Sequence, residues 1–261
     1  MSSESNQPKA NMRKTTALAK DRDERIFREV FHLRETNCAI LSDSKDAISA
    51  ARNSISHHRK QLEQYAAVHP EFVCSLNPVT VFEAPRVVRL MAEVSEKADV
   101  GPMAAVAGVL ADLAVEDMVL AGSRVAVVEN GGEISAVSDQ AIDVALSAGD
   151  SPLSGHVGFR LQHFPAGIAT SSGLFSHALS FGDAEAVTIF AANAGLADAA
   201  ATAVGNLIKG GDRRVVEHAL KEALRIEGVK GATILYRGVV GRAGETPQLL
   251  KIRGEPTHMA T

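Results

Sequence analysis

The chain has 261 residues, 46% hydrophobic and 22% charged, which is ordinary globular composition and enough for one domain with its own core. A formal net charge of -4 offers no basic stripe, which argues against a nucleic-acid partner. Cys38 and Cys74 form no C-x-x-C pair, which excludes a zinc ribbon or iron–sulfur site and leaves two buried thiols in a reducing cytosol as the expectation.

Residues 1–24 are polar and read as a disordered segment without the apolar stretch of a secretory signal. Residues 25–253 are expected to form a single domain, and 254–261 a flexible tail. Phe27 to Leu41 reads as strand material, with Val30, Cys38 and Ile40 among polar residues. Ser42 or Asp43 then caps a helix in which Ile48, Ala51, Ile55, Leu62 and Tyr65 follow helical spacing. His57 and His58 point in different directions on that helix, so a solvated face is expected there rather than a metal site. A second helix runs from Arg86 to Glu96 behind Pro85, and Gly101-Pro102 separates it from a third, Met103 to Leu120, ended by Gly122.

Arg124–Glu129 and Glu133–Val137 are strands joined at Asn130-Gly131-Gly132. Further strands are expected at Ala141–Leu146, Val157–Leu161, Gly167–Thr170 and Ala186–Phe190. Helices follow at Gly195–Ile208 and Asp212–Arg225, then strands at Ala232–Tyr236 and Leu249–Ile252. Strands and helices are mixed rather than strictly alternating, so the fold class is α+β. Asp112 interrupts the apolar run Met103–Val115, and Asn193, Asp198 and Asn206 interrupt Ala186–Ile208. Neither run suits a membrane span, and a cytoplasmic location is expected.

Three segments could carry chemistry. Asn130-Gly131-Gly132-Glu133 reads first as a tight type I′ turn, and secondly as bare backbone that a ring or phosphate can approach. Thr170-Ser171-Ser172-Gly173 offers hydroxyls to a phosphate or a flavin edge, or bonds its own backbone in a turn. No G-x-S-x-G elbow surrounds Ser172, and His177 reads as a packed side chain. Asp198 and Thr202 are four apart, so a helix puts both on one face as hard oxygen ligands suited to Mg²⁺. The plainer alternative is that Asp198 complements its own helix N-terminus. No G-x-G-x-x-G or P-loop occurs.

In this order the segments resemble the ApbE superfamily of flavin transferases, which move FMN from FAD to a protein threonine. Asn130-Gly131-Gly132-Glu133-Ile134 is similar to its N-A-G-G-D-I, and Thr170-Ser171-Ser172-Gly173 to its T-S-G. Ala197-Asp198-Ala199-Ala200-Ala201-Thr202-Ala203 looks like its A-D-A-x-A-T-A, where the acid and the threonine hold Mg²⁺. The resemblance is closer still to an ApbE-like branch of archaea and bacteria, over nearly all of Phe27 to Lys251. Shared segments include Gly101-Pro102-Met103-Ala104-Ala105-Val106-Ala107-Gly108 and His177-Ala178-Leu179-Ser180-Phe181-Gly182-Asp183-Ala184. The resemblance implies a tunnelling-fold type of α+β domain, a small-molecule ligand such as FAD or FMN, and Mg²⁺ at Asp198 and Thr202. It also marks departures: Ala107 replaces the lysine of the transferases' G-G-I-A-K-G, and their H-x-x-D-P has no counterpart around His156. Two expectations follow, a Mg²⁺-dependent transferase-like protein or a non-catalytic flavin- or nucleotide-binding accessory. The oligomeric state is left open, a homo-oligomer included.

Overall fold

The computed structural model describes residues 17–19, 26–34, 36–145, 157–172 and 182–251. The expectations placed on His156, Gly173, His177 and the tail from 254 fall outside these residues. Among the described residues the larger sheet has eight strands, all paired antiparallel. They are β2 (Phe27–Leu33), β3 (Thr36–Ser42), β4 (Val125–Asn130), β5 (Glu133–Ser138), β8 (Ala166–Ser171), β9 (Ala186–Ala191), β10 (Val229–Tyr236) and β11 (Val239–Gly244). Their spatial order is β11-β10-β9-β8-β5-β4-β3-β2. A smaller sheet, β1-β6-β7-β12, consists of Ala17–Ala19, Ile142–Ala145, Val157–Leu161 and Gln248–Lys251.

Strand β4 shows how the layers arise. All six of its residues are buried, the continuous apolar run expected of a strand covered on both faces. Val125 and Val127 pack with Ile142, Val144, Phe159 and Leu161 of the smaller sheet. Ala126 and Val128 pack on the other side against helices α1 (Lys45–Val68) and α4 (Val106–Leu120). Helices α3 (Arg86–Ala98), α5 (Ala194–Leu207) and α6 (Arg213–Ala223) extend that cover over β8, β9 and β10. The result is three layers: helices, large sheet, small sheet. Each fully buried Ile, Leu or Phe in them contributes about 1.5–3 kcal/mol. Among the described residues no helix is long and apolar enough to cross a membrane.

The α+β class stands as expected, with local corrections. Strand material from Phe27 to Leu41 is a hairpin, β2 against β3, and Arg34 leaves β2 with φ 53°. The cap of α1 is Ser44, whose hydroxyl accepts from the Ala47 N–H. Ser42 instead meets the Ser123 hydroxyl at 2.8 Å, and Asp43 accepts the N–H groups of Arg124 and Val125, so both fasten the start of β4. The third helix begins at Val106 rather than Met103, because Pro102–Ala105 is a 3-10 turn. Residues 17–19, inside the segment expected to be disordered, pair with β6. Cys38 is buried, its thiol pushed up to about 12 by burial and the Glu129 charge. Cys74 is exposed on the short helix α2 (Pro70–Cys74), against the expectation of two buried thiols. His57 is exposed, and half-buried His58 lies 3.1 Å from the Gln61 side-chain oxygen.

Candidate functional site

The hairpin β4–β5 closes over Gly131 and Gly132, since Asn130 pairs with Glu133. Both glycines have positive φ, 72° and 123°, as a two-residue I′-like turn requires. Among the described residues no atom lies within 4 Å of a Cβ placed on Gly132, and only the Glu133 carboxylate meets one on Gly131. Nothing among the described residues covers the turn. Asn130 below it is 4% exposed and donates its side-chain N–H to the Ala107 carbonyl at 3.0 Å. That bond fastens the hairpin to the first turn of α4.

At the same turn of α4 the Gly108 N–H donates to the Asp198 carboxylate at 3.0 Å. Asp198 thus does complement a helix N-terminus, but that of α4 rather than its own. The favour is returned. Asp112 of α4 accepts the N–H groups of Ala194 and Gly195, both at 2.8 Å, at the start of α5. The Asn193 side chain accepts from Leu196 N–H at 2.8 Å. Bare backbone lets the helices cross so closely: a Cβ on Gly108 would collide with the Ala194 carbonyl, and one on Gly195 would lie 2.6 Å from a Val109 methyl. Thr202 follows Asp198 one turn on, and both are half-buried while Ala199, Ala200 and Ala201 between them are buried.

Three carboxylates gather here. Ile134 and Ala136 face the small sheet, so Glu133 and Ser135, alternating with them on β5, lie on the helix-facing side. Burial first, then the Glu133 charge, hold the Asp198 carboxyl well above its usual range, while the N–H groups of Gly108 and Ala107 oppose that rise. Burial pushes Glu133 up to about 7 and raises Asp112 against its backbone donors. No lysine or arginine among the described residues is a group that shifts any of the three. Among the described residues no three His, Cys, Asp or Glu side chains make a metal cage by themselves. Mg²⁺ asks for less, one or two carboxylates beside waters and substrate phosphates. The hard oxygens of Asp198, Glu133 and Thr202 fit such an ion, which would also relieve the mutual repulsion.

The hydroxyl segment divides. Ile168 faces the small sheet and Ala169 the helices, so Thr170 faces the small sheet, where its hydroxyl meets Thr188 at 3.0 Å. Thr170 is therefore turned away from Asp198. Ser171 faces the helices by the same alternation, and Ser172 is 9% exposed with no hydrogen-bond partner for its hydroxyl among the described residues. The pairing of Ile134 with Ile168, carried two residues further, sets Gly132 beside Thr170, so the turn and the end of β8 share one end of the sheet. Asp112 carried no role in the sequence reading. Its one signal was a charge in the middle of an apolar helix.

The model of the family described as AbpE bacteria matches residues 17–230. A UPF0280 protein of Methanococcus vannielii is 38% identical over 231 residues, covering 87% of this chain and 94% of its own. The fold is that of the apo flavinyl transferase ApbE of Pseudomonas stutzeri, with a TM-score of 0.57 and 13% identity over 84% of this chain and 94% of that one. The ApbE protein of Thermotoga maritima gives a TM-score of 0.55, also at 13% identity, over 84% and 97%.

Proposed function

The chain belongs to the AbpE bacteria family, and from that premise we propose that it binds FAD, FMN or another nucleotide-like diphosphate through Mg²⁺ held by Asp198 and Thr202. One observation carries the reading: Asp198 and Glu133, both half-buried, stand close enough that the Glu133 charge helps hold the Asp198 carboxyl above its usual range, and no lysine or arginine of the described residues offsets it. Bound Mg²⁺ would supply the charge that neutralises a diphosphate. The chain's own groups do the rest. Gly131 and Gly132 leave room for the ligand to lie on the hairpin, and Ser171, on the helix-facing side, takes the place first given to Thr170. That the Pseudomonas stutzeri protein is a flavinyl transferase supports a flavin as the ligand and FMN transfer as the chemistry.

A second reading, a flavin- or nucleotide-binding accessory without catalysis, is favoured by Ala107. It stands where transferases of this kind carry a lysine, and its carbonyl is taken by Asn130. Losing such a cation weakens transition-state stabilisation by about 3 kcal/mol or more, without emptying the pocket.

Calorimetric titration with FAD, with and without Mg²⁺, tests the binding claim. The wild type is expected to bind at least about tenfold more tightly with Mg²⁺. Asp198→Ala should abolish that gain, and Thr202→Ala should reduce it less, because water replaces a neutral hydroxyl. Equal binding without Mg²⁺ would remove the metal from the account. Transfer of FMN to a threonine-containing acceptor peptide then separates the two readings.

A further inference from the structure

We infer that Asp112 is a positioning residue that fixes where Asp198 stands by clamping the first turn of α5 onto α4, an inference that rests on the reading of Asp198 as a metal-binding group. Asp112 lies in the second turn of α4 among the buried residues Ala111, Leu113, Ala114 and Val115. A carboxylate in such company is costly unless its oxygens are bonded. Here both are. One accepts from Ala194 N–H and the other from Gly195 N–H, each at 2.8 Å, and the Ser135 side chain on β5 stands close enough to help stabilise the charge. With Asn193 on Leu196, three of the four N–H groups that α5 leaves without an internal partner are satisfied.

Asp198 sits on the N-terminus of α4 in return. Each helix therefore caps the other, and a slide or rotation of α5 would break bonds at both ends of the exchange. Ser135 extends the clamp to β5, the strand that carries Glu133. Asp112 thereby sets the relative placement of two carboxylates without itself touching a ligand. Metal sites depend on such support, since the geometry must hold to within about 0.5 Å.

The test compares Asp112→Asn, Ser135→Ala and Asp198→Asn with the wild type by two measurements. One is the hydrogen-exchange rate of the Gly108 amide with neither metal nor ligand present, which reports whether Asp198 is seated. The other is the Mg²⁺ concentration that half-saturates the enhancement of FAD binding. Asp112→Asn should accelerate Gly108 exchange towards the Asp198→Asn rate. It should also raise the Mg²⁺ requirement by about tenfold to a hundredfold, with Mg²⁺-free affinity unchanged. A group that merely stabilises α5 would accelerate exchange at Ala194 and Gly195 and lower the melting temperature. Gly108 exchange and the Mg²⁺ requirement would then stay at wild-type values, and the inference would be overturned. If wild type binds FAD without regard to Mg²⁺, the proposed function falls, while Gly108 exchange still decides the role of Asp112. Should Asp112→Asn fail to fold, Ser135→Ala keeps the carboxylate and is expected to shift both measurements the same way by a smaller factor. No shift in that variant overturns the inference as well.

Discussion

The hairpin between β4 and β5 and the hairpin between β10 and β11 both close over two residues with positive φ. In the first these are Gly131 and Gly132, at 72° and 123°; in the second, Arg237 and Gly238, at 49° and 75°. The second shows that the leading position of such a turn accepts a large side chain, and the Arg237 N–H there is bonded by Glu185 at 3.0 Å. Turn geometry alone therefore does not call for glycine at 131. The flanks differ too. Tyr236 and Val239 border the second turn, whereas Asn130 and Glu133 border the first and reach α4 and Asp198. The same backbone device ends one hairpin as a plain edge and backs the other onto a charged helix crossing.

The largest expected effect comes from removing that backing. Gly108→Ala forces a Cβ into the Ala194 carbonyl and should cost about 3 kcal/mol in chemical denaturation, with Asn130 and Asp198 losing their common support. A variant of wild-type stability would mean that the crossing is looser than described.

A smaller effect depends on pH. Glu133 has an ordinary value of 4.5 and a folded value of about 7, so the folded state binds more protons than the unfolded state between those values. Stability from this group is then fully present below about pH 4.5 and declines as pH rises to about 7. Glu133→Gln should flatten that part of the profile, and Mg²⁺ should do the same in the wild type. The comparable flank of the other hairpin, Val239, has nothing to titrate. Thermal melts between these pH values, with and without Mg²⁺, decide it.

The smallest change in stability is expected at the turn itself. Gly131→Asn should cost at most about 1 kcal/mol, since asparagine tolerates the left-handed region and its Cβ meets only the Glu133 carboxylate among the described residues. It should nevertheless weaken FAD binding, because its side chain occupies the space above the turn. Arg237→Gly, the mirror substitution, should leave FAD binding unchanged. Equal affinities in the two variants would erase the distinction between the hairpins.

Much of this was legible in the sequence where the signal is local. Helical spacing of Ile48, Ala51, Ile55 and Leu62 marked the buried stripe of α1, and Val157–Leu161 was bounded correctly as a strand. Strand β11 escaped because half-buried and exposed residues alternate along it with two glycines among them, leaving no apolar run. The end of β8 was read as one row of hydroxyls, although strand alternation sends Thr170 and Ser171 to opposite faces. The spacing from Thr202 and the resemblance single out Asp198 in the sequence, but its hydrogen-bond donor, Gly108, is 90 residues away. No local pattern announces such a partner, nor the exchange of caps that uses Asp112.

The most direct measurement is diffraction from crystals grown with Mn²⁺ and FAD, using the anomalous signal to locate the metal. The account predicts one ion within about 2.2 Å of an Asp198 carboxylate oxygen, with the Thr202 hydroxyl on the same ion and diphosphate oxygens beside it. FAD bound elsewhere, or bound over the Gly131-Gly132 turn with no metal at Asp198, would contradict it.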